Sequence, residues 1–148
     1  MIMRRLCTVL AAALAVAAAP AYCIEFRTIA EPAVVLYDAP TRQSSKVFIL
    51  SKDYPVEVII VSEGWVRVRD DTGAFAWVEA RSLSTKRTVM VKSQVVDARD
   101  RPDGAAAVVF RADPGVILDY LGVSGGWAHV RHRDGATGYV ALGQLWGV

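Results

Sequence analysis

The chain has 148 residues, 53% of them hydrophobic and 22% charged, a balance that supports one or two small folded domains and excludes an intrinsically disordered protein. Its formal net charge is only +2, and taking away Arg4 and Arg5, which stand at the front of a leader-like segment, leaves none. A chain without a net field has no long-range attraction for polyanions, so no nucleic-acid partner is expected.

In chain order, the first feature is MIMRRLCTVLAAALAVAAAPAYC, residues 1–23. Two arginines, an apolar run from Leu6 to Ala19 and then small residues make a secretory signal peptide, because about 14 apolar residues fall short of the roughly 20 that a membrane-crossing helix needs. The expectation is a cleavable signal helix and export, which means the periplasm in a Gram-negative cell, with no stable membrane insertion after its removal. Cleavage fits after Ala21 or after Cys23. Cys7 leaves with the signal either way, and Cys23 is removed or stays alone at a terminus. The bulky Tyr22 before Cys23 is wrong for a lipoprotein signal. At most one cysteine rules out an internal disulfide, a thiolate zinc site and Cys-His catalysis.

The rest of the chain repeats itself. GWVRVRDDTGAFAWV from Gly64 and GWAHVRHRDGATGYV from Gly126 are in register, with Trp65 and Trp127 separated by 62 positions. The same shift carries Val34 to Val96, Asp38 to Asp100, Pro40 to Pro102, Phe48 to Phe110, Trp77 to Tyr139 and Leu83 to Leu145, without a gap. Two copies of a unit of roughly 60 residues point to duplication rather than a solenoid. Two small domains are expected, residues 26–86 and 87–148, joined around Ser84-Thr85-Lys86-Arg87 with almost no linker.

Within the first copy, Val34–Tyr37, Val47–Leu50, Val56–Val61, Trp65–Arg69 and Phe75–Val78 are rich in β-branched and aromatic residues and predict five strands. Turn chemistry separates them: Asp38-Ala39-Pro40, Asp53-Tyr54-Pro55, Ser62-Glu63-Gly64 and Asp70-Asp71-Thr72-Gly73. The second copy matches with Arg101-Pro102-Asp103-Gly104, Asp113-Pro114-Gly115, Ser124-Gly125-Gly126 and Asp134-Gly135. Asp113-Pro114-Gly115 suits a type II turn, with proline at the first central position and glycine taking the positive φ of the second. Five short strands hide one apolar face only by curling, so the expected fold is all-β, two small partly open barrels in tandem.

This order of turn, hydrophobic strand, Gly-Trp strand, tight hairpin, Trp/Tyr-Val strand and closing leucine resembles the bacterial SH3 (SH3b) family once in each copy. The residues that carry the resemblance are Gly64-Trp65, Trp77-Val78 and Leu83, then Gly126-Trp127, Gly138-Tyr139-Val140 and Leu145. The first copy departs from the pattern with Ala76 where a glycine usually precedes the aromatic, and with Tyr37-Asp38-Ala39 where a small-residue turn is common. The resemblance implies SH3-like barrels and binding rather than catalysis.

Strand parity places the candidate site. Val66 and Val68 share one face and Trp65, Arg67 and Arg69 the other; Ala128 and Val130 oppose Trp127, His129 and Arg131 in the same way. Small and β-branched residues suit a tiny interior, so the tryptophans face outward beside cations unless a β-bulge flips the strand. Such a face can bind a peptide bearing a free carboxylate, including a cell-wall stem peptide. It can equally be a tryptophan lying over its own hairpin and stacked on its neighbouring arginine. Trp77 and Tyr139 either pack on the sheet or border the same groove.

Other groupings reduce to turns. Arg131-His132-Arg133 reads as a solvated hairpin, and Asp70-Asp71, Asp100 and Asp103 as loop carboxylates. Gly122-Val123-Ser124-Gly125-Gly126 fits the hydrolase nucleophile pattern, but a strand feeding a tight turn is not the strand-to-helix elbow that pattern needs. His129 and His132 lack further ligands, so no metal and no cofactor are expected. The expected function is a non-catalytic, exported recognition module for cell-wall (peptidoglycan) peptide or an envelope protein. The alternative is a structural or assembly protein of the cell envelope whose aromatic faces make oligomer or partner contacts.

Overall fold

The computed structural model describes residues 22–92 and 94–148. The signal helix expected over residues 1–23 lies outside them, apart from irregular backbone at Tyr22 and Cys23. The first unit comprises β1 (Glu25–Ile29), β2 (Ala33–Tyr37), β3 (Lys46–Ser51), β4 (Pro55–Ser62), β5 (Trp65–Arg69), β6 (Phe75–Glu79) and, after a 3-10 turn at Ala80–Ser82, β7 (Leu83–Ser84). The second repeats this as β8 (Thr88–Val91), β9 (Val96–Arg99), β10 (Val108–Ala112), β11 (Ile117–Ser124), β12 (Trp127–Arg131), β13 (Thr137–Ala141), a 3-10 turn at Leu142–Gln144, and β14 (Leu145–Trp146). Among the described residues no helix is long and apolar enough to cross a membrane.

The two partly open barrels expected from the sequence are not formed. Each unit is an open seven-stranded antiparallel sheet, in the order β3-β2-β6-β5-β4-β1-β7 and β10-β9-β13-β12-β11-β8-β14. Two strands per unit lie beyond the five expected: β1, where charged Glu25 and Arg27 interrupt the apolar pattern, and its counterpart β8, and the two-residue β7 and β14. Closure would require β3 to pair with β7, and two residues offer too short a ladder. The outer strands β3 and β10 therefore keep a free edge, with Val47, Ile49, Val108 and Val109 exposed.

Curling still hides one face. Ile29, Val34, Leu36, Leu50, Val56, Val66, Val68 and Val78, drawn from β1 to β6, form one buried cluster. Val89, Val91, Val96, Leu118, Val130, Val140 and Leu145 form its counterpart in the second unit. Each fully buried aliphatic side chain contributes about 1.5–3 kcal/mol. The β4–β5 hairpin closes through Glu63 (φ 49°) and Gly64 (φ 84°), the left-handed pair that matches strand twist in a two-residue connection. At Asp113-Pro114-Gly115 the expected type II turn is present: Gly115 has φ 84° and the Val116 amide donates to the Asp113 carbonyl at 3.2 Å.

The units meet through a small, specific junction. The Trp146 indole N–H donates to the Pro55 carbonyl at 2.9 Å, and its ring stands edge-on to Phe26, 5.1 Å between centroids. The Arg87 guanidinium lies over both Phe26, at 5.8 Å, and Tyr120, at 5.1 Å, and donates to the Gly147 carbonyl at 2.7 Å. The Thr88 hydroxyl donates to the Asp53 carbonyl at 2.6 Å.

Candidate functional site

Strand parity holds on both Gly-Trp strands. Val66, Val68, Ala128 and Val130 are buried, while Trp65, Arg67, Arg69, Trp127 and His129 are half-buried on the opposite face and Arg131 is exposed. Bulges do occur, but on the neighbouring strands, between Val58 and Ile60 in β4 and between Tyr120 and Gly122 in β11. They leave the facing of β5 and β12 intact.

On the outer face of the first unit, Tyr37 of β2 lies opposite Trp77 of β6, and Trp77 lies opposite Arg67 of β5. Directly opposed residues share a face. Across β6 the Tyr37 ring meets Trp65 edge-on, with centroids 5.7 Å apart. Trp65 and Trp77 thus join a three-ring surface whose third member, Tyr37, the motif reading had not assigned to the site. The arginines serve differently. Arg67 caps the Phe75 ring at 4.8 Å. Arg69 pairs with Glu57, its Nε donating at 2.7 Å, and lies 5.7 Å from the Trp146 ring at the junction.

Beside the aromatic face opens a groove of about 450 Å³ lined by Glu31, Tyr37, Arg42, Glu79, Arg81 and Ser82. Glu79, opposite Trp65 in the ladder, is its hub. Arg42 donates to both its oxygens, at 2.5 and 3.0 Å, and the Arg81 Nε approaches to 2.8 Å. The hydrogen bond from Arg42 holds the Glu79 carboxyl below the usual carboxylate range, against slight burial and with the charges of Arg42 and Arg81 adding to the effect. The Ser82 hydroxyl donates to Glu31 at 3.0 Å. Two guanidinium groups and two carboxylates on one wall, beside an aromatic surface, match a ligand carrying both a carboxylate and an ammonium.

Among the described residues the second unit lacks this arrangement. His129 stacks on Tyr139 with centroids 4.6 Å apart and planes 14° from parallel. Trp127 opposes Ala141, and Arg99, in the place of Tyr37, turns to the Ala106 carbonyl at 2.8 Å. Arg42, Glu79 and Arg81 are replaced by Gly104, Ala141 and Gly143 at the 62-residue offset. The corresponding hollow, lined by Lys92, Gln94, Gly143 and Gln144, shrinks to about 130 Å³. Arg131 pairs with Asp119 at 3.0 Å. Comparison of the two copies at these positions is the sequence signal that could have revealed the groove.

The remaining carboxylates and the serine serve local structure. Asp70 Oδ1 accepts from the Thr72 and Ala74 amides, both at 2.9 Å, and from the Thr72 hydroxyl at 2.6 Å. Asp71 accepts from the Tyr54 phenol. Ser124 ends β11 directly opposite Trp127, in a hairpin rather than an elbow. Among the described residues no three His, Cys, Asp or Glu side chains group so as to hold a metal.

One protein family, described as Bacterial SH3 domain, matches the sequence twice, over residues 30–85 and 92–147. No curated protein matches the chain. Among solved structures, NlpC2 from Trichomonas vaginalis is 18% identical with a TM-score of 0.40, the match covering 84% of this chain and 48% of that one. NlpC1 from the same organism is 18% identical with a TM-score of 0.40, covering 90% and 50%. An NlpC/P60 family protein from Bacillus cereus is 12% identical with a TM-score of 0.38, covering 82% and 56%. The chain spans about half the length of these proteins.

Proposed function

The chain belongs to the bacterial SH3 domain family, whose members are non-catalytic recognition modules, and from that premise we propose that it is an exported tandem module that binds cell-wall peptide or an envelope polypeptide through the groove of its first unit. In a Gram-negative cell it works in the periplasm. Residues 26–86 and 87–148 are its two domains, the first carrying recognition and the second bracing it at the Trp146 junction.

The observation that carries this reading is the adjacency of the Tyr37, Trp65 and Trp77 surface to the Glu31, Arg42, Glu79 and Arg81 groove. A peptide lays its aliphatic stem on the rings, directs a carboxylate to the guanidinium N–H groups of Arg42 and Arg81 that Glu79 does not engage, and presents an amine to Glu31. Rigid rings cost little conformational entropy to order, so they suit a recognition surface.

Co-sedimentation of the protein with purified peptidoglycan tests the reading. Arg42→Ala combined with Arg81→Ala, and separately Trp65→Ala, lower retention by about tenfold or more, while Trp127→Ala, on the face with the reduced hollow, changes it less. Wild-type retention by folded Trp65→Ala and Arg42→Ala/Arg81→Ala proteins overturns the assignment of this groove.

A further inference from the structure

A second cavity, of about 480 Å³, lies between the units, lined among others by Lys52, Asp53, Lys86, Asp119, Arg131 and Arg133. Its charges do not balance. Lys86 bridges Asp53 of the first unit at 3.3 Å and Asp119 of the second at 3.1 Å, and Arg131 reaches Asp119 at 3.0 Å. Both carboxylates are thereby satisfied by cations on the same wall. Lys52 and Arg133 make no ion pair among the described residues. With Lys52, Lys86, Arg131 and Arg133 set against Asp53 and Asp119, the lining carries a formal excess of two positive charges.

The arrangement is specific to the junction. The tip of the β12–β13 hairpin reads His132-Arg133, whereas the equivalent tip of the first unit reads Asp70-Asp71; the counterpart of Lys52 is Pro114. The second copy thus carries a fixed cation, Arg133, on the one hairpin that faces the lysine of the first. Two like charges on one concave surface repel, and the repulsion is relieved by an anion held between them. A guanidinium fork and an ammonium point charge suit a compact, multiply charged oxyanion.

We propose that the inter-unit cleft is an anion site that takes a dianionic phosphate group, free or carried as a monoester, between Lys52 of the first unit and Arg133 of the second. Because the ligand would touch both units, its occupancy tightens their pairing. This site is separate from the groove of the first unit and does not depend on the function assigned to that groove.

The test is a titration of the full mature chain with inorganic phosphate, read by amide chemical shifts at constant ionic strength and at a pH where phosphate is dianionic. Dimethyl phosphate, with a single charge, is titrated in parallel to separate a monoester site from one reading a phosphodiester backbone. The expected result is saturable shifts confined to residues 52–53, 86, 115–119 and 131–134, weaker by about tenfold or more in Lys52→Ser/Arg133→Ser, with dimethyl phosphate far weaker than phosphate. Non-saturating or scattered shifts, equal binding of dimethyl phosphate, or undiminished affinity in the folded double variant overturns the proposal. A thermal melt matching wild type establishes that the variant is folded, and Lys52→Arg/Arg133→Lys, which keeps both charges, recovers saturable binding.

Discussion

Replacing Trp146 by serine, the residue that the first copy carries at the equivalent position 84, isolates the junction between the units. The change removes the hydrogen bond to the Pro55 carbonyl, the edge-on contact with Phe26 and the overlap with Arg69. These are worth about 1, 1 and 0.5 kcal/mol respectively. Apolar ring surface hidden against the first unit adds about 2 kcal/mol, which brings the loss to about 4.5 kcal/mol, within the range for truncating a tryptophan. Leu145, the core residue beside it, is untouched and fully buried, so the second unit keeps its own cluster. Urea unfolding followed by circular dichroism is the assay. Wild type unfolds with the units coupled, and Trp146→Ser loses about 4.5 kcal/mol in all and separates into two transitions, since each unit then unfolds alone. A loss under about 1 kcal/mol with one transition retained would refute the claim that this indole joins the units.

Four further outcomes follow from individual residues. Burial disfavours charge on Asp119, but hydrogen bonds from Arg131 and Lys86 outweigh it and hold its carboxyl below the usual range; its stabilisation is therefore full above the ordinary carboxylate pKa and is lost as pH falls through the depressed folded value, so Asp119→Asn flattens the acid limb of a plot of Tm against pH. Burial, and then the hydrogen bond to Asp71, raise the Tyr54 phenol well above its ordinary value, so Tyr54→Phe leaves unaltered the absorbance rise seen on titration through the ordinary phenol range, about pH 10. Gly138→Ala puts a Cβ 2.9 Å from that of Ala98 and 3.2 Å from the Arg99 carbonyl, which lowers stability in urea by about 1–3 kcal/mol. Gly147→Ala combines φ 102° with a Cβ 2.7 Å from the Thr88 carbonyl, and a lowered Tm with weakened unit coupling is expected in calorimetry.

How far the sequence spoke depended on the range of each signal. The facing of Trp65, Arg67 and Arg69 against Val66 and Val68 was legible because alternation along a strand is local, and the Asp113-Pro114-Gly115 turn was legible because its chemistry sits in three adjacent residues. The open seven-stranded sheets were not. Glu25 and Arg27 mask β1, and whether a sheet closes depends on the length of β7, which only pairing reveals. The groove escaped because Arg42 and Glu79 are 37 positions apart and belong to no motif. Parity alone marks Arg69 as a ligand cation, while its partners Glu57 and Trp146 come from a neighbouring strand and from the other unit. Gly138 and Ala76 look like a family signature and a departure from it; in space, Gly138 is a matter of clearance from Ala98.

The unpaired margins of the two sheets have a practical side. Along β3 and β10, β-branched side chains such as Val47, Ile49, Val108 and Val109 point outward from backbone that still has hydrogen bonds to give, which is the usual starting point for strand-by-strand accretion between molecules. Lys46 opens β3 as an exposed cation with no ion pair among the described residues, whereas Arg111 on β10 pairs with Asp97 at 2.8 Å, so like charges meeting edge to edge oppose the accretion at β3. Neutralising Lys46 would therefore shorten the life of this chain in concentrated solution before it loosened either core.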